Sequence, residues 1–246
     1  GGIPMKYFFV VLVSFSGSLI QRVTGFGFGI FAMMFLPHLL DSYKEANALA
    51  GMLSLLSCLV VCAQLFRLVD WKNLILSSSA SIVFTWLAVR FVSGQEDNLL
   101  KVLLGLFLIL LSIYFMFFSH RVHIKPSWYA GLVAGGLSGV LGGLFATGGP
   151  PVVVYFMESE KDVNRYLATI QAYFAITNVF STAVKVASGF VTGSVLVFWL
   201  FGAAGMLAGV YAGKKVYGRL SADLIKKLVY AMMAASGVVN ILMSLF

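Results

Sequence analysis

The chain has 246 residues, 60% of them hydrophobic and 11% charged, and 17 Lys and Arg against 9 Asp and Glu give it a net charge of +8. Soluble domains carry about 25% charged residues, so an ordinary water-soluble enzyme or binding module is excluded. The basic residues are scattered over short polar stretches rather than gathered on one face, so the chain is no nucleic-acid binder; the positive-inside bias of a membrane protein explains them.

Gly1–Pro4 read as a remnant ahead of Met5 and are set aside. The first apolar segment, about 6–40, is interrupted by the stretch SGSLIQRVTGFGFGIF from Ser16 to Phe31. Three unbroken apolar runs follow and predict helices over about 45–66, 72–92 and 98–119, each near the roughly 20 residues a membrane span needs. After a polar stretch the pattern repeats. A segment over about 127–158 is broken by SGVLGGLFATGGPPVV, Ser138 to Val153, and helices are expected over about 163–187, 193–214 and 222–245.

At a single offset of 122, Ser16-Gly17 meets Ser138-Gly139, Gly27 meets Gly149 and Ala50 meets Ala172, which reads as an internal duplication. The expected fold is an all-α polytopic membrane protein of about ten helical pieces, in a first repeat over 5–122 and a second over 127–246. Re-entrant broken segments would make the repeats inverted, and the division of loop Lys and Arg obeys the positive-inside rule slightly better that way. Glycine and proline cost helix hydrogen bonds, which a bilayer tolerates mainly where the freed backbone lines a cavity in the protein. Paired breaks at matching positions of two halves point to the binding site of a secondary transporter.

Arg22 is the main candidate for the chemistry, with Gln21 and Thr24 beside it and Gly25 and Gly27 just after. An ionisable group inside a membrane segment is a functional hypothesis by default. A guanidinium offers a planar fork of donors to sulfonate, phosphate or carboxylate oxygens, and helix N-termini after Gly27 and Gly149 would add backbone N–H groups. Thr147, Gly148 and Gly149 hold the matching place in the second half, where Leu144 stands in for Arg22. Gln171 and Asn178, seven apart on one predicted helix, either contact substrate or bridge helices. Lys185, near the end of that helix, is expected to snorkel to the interface. Glu45, Asp70 and Glu158 are the acids that proton coupling would use; at predicted segment ends they read as loop charge.

Gly136-Leu137-Ser138-Gly139 matches the serine motif of rhomboid intramembrane proteases. The required histidine base is missing, because His38, His120 and His123 all precede Ser138 and sit at segment ends. Cys58 and Cys62 make neither a zinc site nor a disulfide framework, and no metal or cofactor is expected.

The two motifs, Gly17 through Gly25-Phe26-Gly27-Phe28-Gly29 to Pro37 and Ser138-Gly139 through Gly148-Gly149-Pro150-Pro151 to Tyr155, resemble the TauE/SafE family of sulfite and organosulfonate exporters over essentially the whole chain. Gln21-Arg22-Val23-Thr24-Gly25 looks like the subgroup with a basic residue in the first motif. The resemblance implies a multi-pass permease of the bacterial cytoplasmic membrane that moves a small sulfur-containing anion, such as sulfite or sulfoacetate, outward. It implies a homodimer as well, with protons the candidate coupling ion and the lipid bilayer as surroundings. Two alternatives stay open: a permease for another organic anion such as a carboxylate, and a membrane scaffold without substrate, in which Arg22 would pair with an acid.

Overall fold

A computed structural model describes residues 3–118, 125–160, 162–216 and 222–245, with side chains from Met5 onward except those of residues 24, 216, 222–226, 228–229 and 244–245. The expectations for His120 and His123, and for the side chain of Thr24, lie outside the described residues. All the secondary structure described is helical. The helices are α1 (Ile3–Thr24), α2 (Phe28–Leu39), α3 (Tyr43–Leu65), α4 (Trp71–Ser93), α5 (Asp97–Ile113), α6 (Trp128–Phe145), α7 (Gly149–Ser159), α8 (Val163–Ala187), α9 (Gly193–Val216) and α10 (Ala222–Leu245). α1 takes in Ile3 and Pro4, set aside above; a proline in the first helical turn forfeits no hydrogen bond.

Six of the described helices, α3, α4, α5, α6, α8 and α9, are long and apolar enough to cross a bilayer. Leu110, Phe117, Val133, Leu200 and Tyr211 are large, exposed and apolar or aromatic, as a surface solvated by lipid tails requires. The protein is a multi-pass membrane protein. The two broken segments divide unequally. α1 and α6, with 22 and 18 residues, reach about 33 and 27 Å, close to the ~30 Å of bilayer hydrocarbon. α2 and α7, with 12 and 11 residues, reach only about 18 and 16 Å and are too short to cross.

Polar residues set where several helices begin. Ser42 accepts from the Lys44 amide, Asp70 from the Lys72 and Asn73 amides, Ser127 from Ala130 and Asp162 from Arg165, each satisfying N–H groups that have no partner in the first turn.

Small residues decide the packing, because lipid gives no hydrophobic drive between helices and close backbone approach must supply contact instead. On α6, a Cβ at Gly135 or Gly139 would strike the backbone of Ser77 or Ser81 on α4; on α9, one at Gly205 or Gly209 would strike Val11 or Phe15 of α1. Thr85 donates to the Gly139 carbonyl across the first interface at 3.2 Å, and Ser18 to the Met206 carbonyl across the second at 2.9 Å. α5 and α10 cross at Gly105 and Gly237, where a Cβ on either glycine would stand 2.7 or 2.6 Å from the carbonyl oxygen of the other. α3 and α8 face each other at the centre, with α2 packed on α3 and α7 on α6 and α8. The two short helices therefore lie inside the bundle.

Candidate functional site

The first break forms because α1 turns left-handed at Gly25, with φ +85°, and Gly27, with φ +101°, caps α2 in the same region. L-residues with a side chain enter that region at a cost of about 1–2 kcal/mol. The first hydrogen bond of the new helix runs from the Phe31 N–H to the Gly27 carbonyl at 2.9 Å, so the amides of Phe28, Gly29 and Ile30 have no acceptor within α2. The loosened end of α1 is held from α8. Gln171 Nε2 donates to the Gly25 carbonyl at 3.0 Å, and Gln21 Nε2 donates to Gln171 Oε1 at 3.4 Å.

The second break is built with other residues. α6 ends at Ala146, which takes a left-handed φ of +54° without being glycine. The carbonyls that this leaves free are caught by α3: Asn47 Nδ2 donates to Gly143 and Leu144 at 3.2 and 2.8 Å, and the Tyr43 hydroxyl to Leu144 at 2.7 Å. The Ser138 hydroxyl donates to the Gly148 carbonyl. This serine of the protease-like motif is thus committed to pinning the break. Pro150 and Pro151 fill the first turn of α7, so its N-terminus offers fewer N–H groups than that of α2.

The two breaks touch. A Cβ at Gly29 would collide with the Ala146 carbonyl, and one at Gly149 would stand 3.6 Å from the rings of Phe26 and Phe174. Between them lies a cavity of about 40 Å³, where roughly 10–15 Å³ holds one water. Gln21, Gly27, Thr147, Gly148, Gly149 and Asn178, six of the residues singled out in the sequence, line it. So do Ser54, Ser81, Thr85, Ser138, Thr177 and Ser181, with the amide-bearing residues Phe28, Gly29 and Ile30. No charged side chain is among its lining residues. Gln21 Oε1, Thr147 Oγ1 and Ser181 Oγ are buried with no hydrogen-bond partner among the described residues, and Asn178 donates to Ser54 at 3.2 Å.

Arg22 is not in this cavity. It lines a smaller pocket of about 10 Å³ with Ser57, Val61, Leu167 and the pair Gln21 and Gln171, and Gln21 belongs to both spaces. Its aliphatic stem packs where Gly213 leaves room, with a Cβ there only 2.8 Å from Arg22 Cβ. Among the described residues no ion pair joins it to an acid. Gly25 and Gln171 stand behind the first break rather than in the cavity wall.

Lys185 departs from expectation. It does not snorkel: it is 1% exposed, and its ammonium donates to the Asn47 carbonyl at 3.3 Å inside the protein. Helix position alone suggested an interface, but the approach of α3, permitted by Gly51, encloses the side chain. The hydroxyls of α4, and that of Ser181 on α8, were missed also. Ser77, Ser81 and Thr85 recur every four residues on α4, a helical stripe of small polar groups that the sequence displayed.

Of the acids considered for proton coupling, Glu158 is exposed, Glu45 accepts from Thr192 at 2.7 Å, and Asp70 caps α4. Sequence reasoning passed over Glu160, which is buried beside Asp70 and pairs with Arg165 at 3.3 Å. Burial and the neighbouring carboxyl of Asp70 hold Glu160 above the ordinary carboxylate range, against the pull of Arg165. Burial also acts to raise Asp70, but hydrogen bonds with Glu160, with the Asn73 and Lys72 amides and with the Asn73 side chain bring it below that range.

Comparison with curated proteins and with solved structures finds no match. A profile of the family described as sulfite exporter TauE/SafE matches residues 10–239, a stretch that takes in both breaks and every lining residue of the cavity. The chain belongs to the sulfite exporter TauE/SafE family.

Proposed function

We propose that this protein is a secondary transporter that moves a small sulfur oxyanion, with sulfite the first candidate and sulfoacetate next, outward across the bacterial cytoplasmic membrane. The observation that carries the reading is the cavity at the crossing of the two breaks. It is small enough for a solute of a few heavy atoms, and it is lined by donors without a carboxylate. Family membership supports the membrane transporter and its sulfur-anion class. The three free amides of α2, the hydroxyls of Thr147 and Ser181 and the amide of Asn178 are the groups that hold oxyanion oxygens, as at other helix N-termini.

Arg22 acts from the adjoining pocket. It draws the anion toward Gln21, the side chain shared by both spaces, and Gln171 with Gly25 fixes the backbone behind it. Thr24 completes the same turn of chain. Arg22 replaces by long-range charge what the cavity wall lacks, since low surrounding dielectric strengthens its attraction.

The duplication belongs to the same proposal, with repeats over 5–122 and 127–246. The pairings of α1 with α9 and of α6 with α4 are the two that exchange of the halves would interconvert, which supports it. The short α2 and α7 support re-entrant breaks, and rocking of one repeat against the other would open the cavity to each side in turn.

The test is a calorimetric binding screen on purified protein with sulfite, sulfoacetate, taurine, sulfate, phosphate and simple carboxylates. Sulfite or sulfoacetate is expected to bind the wild type, and Arg22→Ala to bind about tenfold or more weakly without loss of fold. Preferential binding of a carboxylate would move the substrate class to other organic anions. Binding of no anion would leave a scaffold.

A further inference from the structure

The side chain that the transport reading leaves unused is the buried ammonium of Lys185. α3 and α8 run antiparallel here: the start of α8 meets the end of α3, where Thr169 bonds the Asp70 amide at 3.0 Å, and the end of α8 meets the start of α3 at Asn47. Lys185 follows Ser181 by one turn on α8, about 6 Å along the axis, and Ser181 lines the cavity. Side chains on a helix lean toward its N-terminus, and that direction takes Lys185 toward Ser181 and Asn178. The ammonium reaches the level of Gly51, where an added Cβ would stand 3.2 Å from Nζ. Gly51 lies one turn, about 4.5 Å, from Ser54, the opposite cavity wall.

Among the described residues, its surroundings supply no counter-charge. Nζ has one hydrogen bond, to the Asn47 carbonyl, and no ion pair among the described residues. Glu45, the acid in the first turn of α3, is bonded instead to Thr192 and Ser194 at 2.7 and 3.3 Å. Isolating an ammonium from water with one neutral acceptor costs several kcal/mol unless an opposite charge comes within reach. An anion in the cavity is such a charge.

We infer that Lys185 is a second cation of the anion path, on the far side of the cavity from Arg22. This rests on the transport reading above. Arg22 stands beyond the cavity at the Gln171 end of α8, and Lys185 stands beyond it at the Ser181 end. The uncharged cavity between them is the place where an anion feels both. On each side one cation receives the anion and the polar wall releases it, so that neither binds it too tightly to leave.

The experiment measures sulfite binding by calorimetry, and thermal unfolding without anion, for the purified wild type, Lys185→Met and Lys185→Arg. Methionine keeps the length of the stem and removes the charge from an enclosed site, so the unfolding temperature of Lys185→Met is expected to equal or exceed that of the wild type. Its affinity for sulfite is expected to fall about tenfold or more, while Lys185→Arg keeps most of it. Wild-type affinity in Lys185→Met, in a protein whose Arg22→Ala variant has lost binding, would overturn the role of Lys185 and leave the transport reading standing. A wild type that binds neither sulfite nor any other anion of the screen would overturn both.

Discussion

Thr147 and Ala146 stand side by side and do opposite things. Thr147 is 3% exposed, and its hydroxyl has no partner among the described residues, so it faces the cavity with an unspent donor. Thr147→Val keeps the branched shape and removes the hydroxyl. It is expected to weaken sulfite binding by about 1–1.5 kcal/mol, close to tenfold, in the same calorimetric assay. Ala146 takes a left-handed φ that glycine would adopt freely. Ala146→Gly is expected to raise stability toward thermal unfolding by about 1 kcal/mol, because the strain is relieved while the break keeps its shape. The equivalent turn at Gly25 was legible, since Gly25-Phe26-Gly27 announces it. Ala146 was not, because nothing in its side chain marks a left-handed residue. Asn178 was legible as a polar residue in an apolar helix. Lys185 was misread for the same reason that it matters: enclosure comes from Gly51 on a helix far away in sequence, which one-dimensional spacing does not reveal.

At the scale of elements, runs free of charge located the helices within a few residues, because the bilayer imposes their length. The helix expected over 163–187 spans Val163–Ala187, and that over 72–92 spans Trp71–Ser93. The broken segments were seen but not their inner proportions. Each was expected to yield two helical pieces, and the structure makes the first long and the second short. The position of the break along each segment depends on which carbonyls find partners elsewhere, here Asn47, Tyr43 and Gln171 on other helices. The same logic explains why Glu160 went unnoticed: its neighbours are Asp70, from the connection before α4, and Arg165, from the first turn of α8. Its raised folded-state value has a definite sign. Folding favours its protonated form, so its contribution is present below the ordinary carboxylate value and is lost as pH rises from that value through the raised one. Thermal unfolding of Glu160→Gln against wild type over this range is therefore expected to show the variant gaining relative stability as pH rises. A constant difference would show that Glu160 titrates as an ordinary carboxyl.

In the whole molecule the two breaks are held crosswise. Gln171 of α8 bonds the end of α1, and Asn47 of α3 bonds the end of α6, so each half supplies an amide that fixes the break of the other. A movement of one half relative to the other must disturb both clamps together with the cavity between them. In the proposed transport cycle this would couple access to occupancy, and the cavity itself is the place to test it. The most direct test is counterflow of radiolabelled sulfite into proteoliposomes preloaded with unlabelled sulfite, for wild type and for Asn178→Leu, whose larger apolar side chain removes a donor from a cavity of about 40 Å³. Saturable counterflow by the wild type, and its loss in a variant that still folds and reconstitutes, is the expected result. Equal counterflow by both proteins would contradict the assignment of the cavity as the anion site.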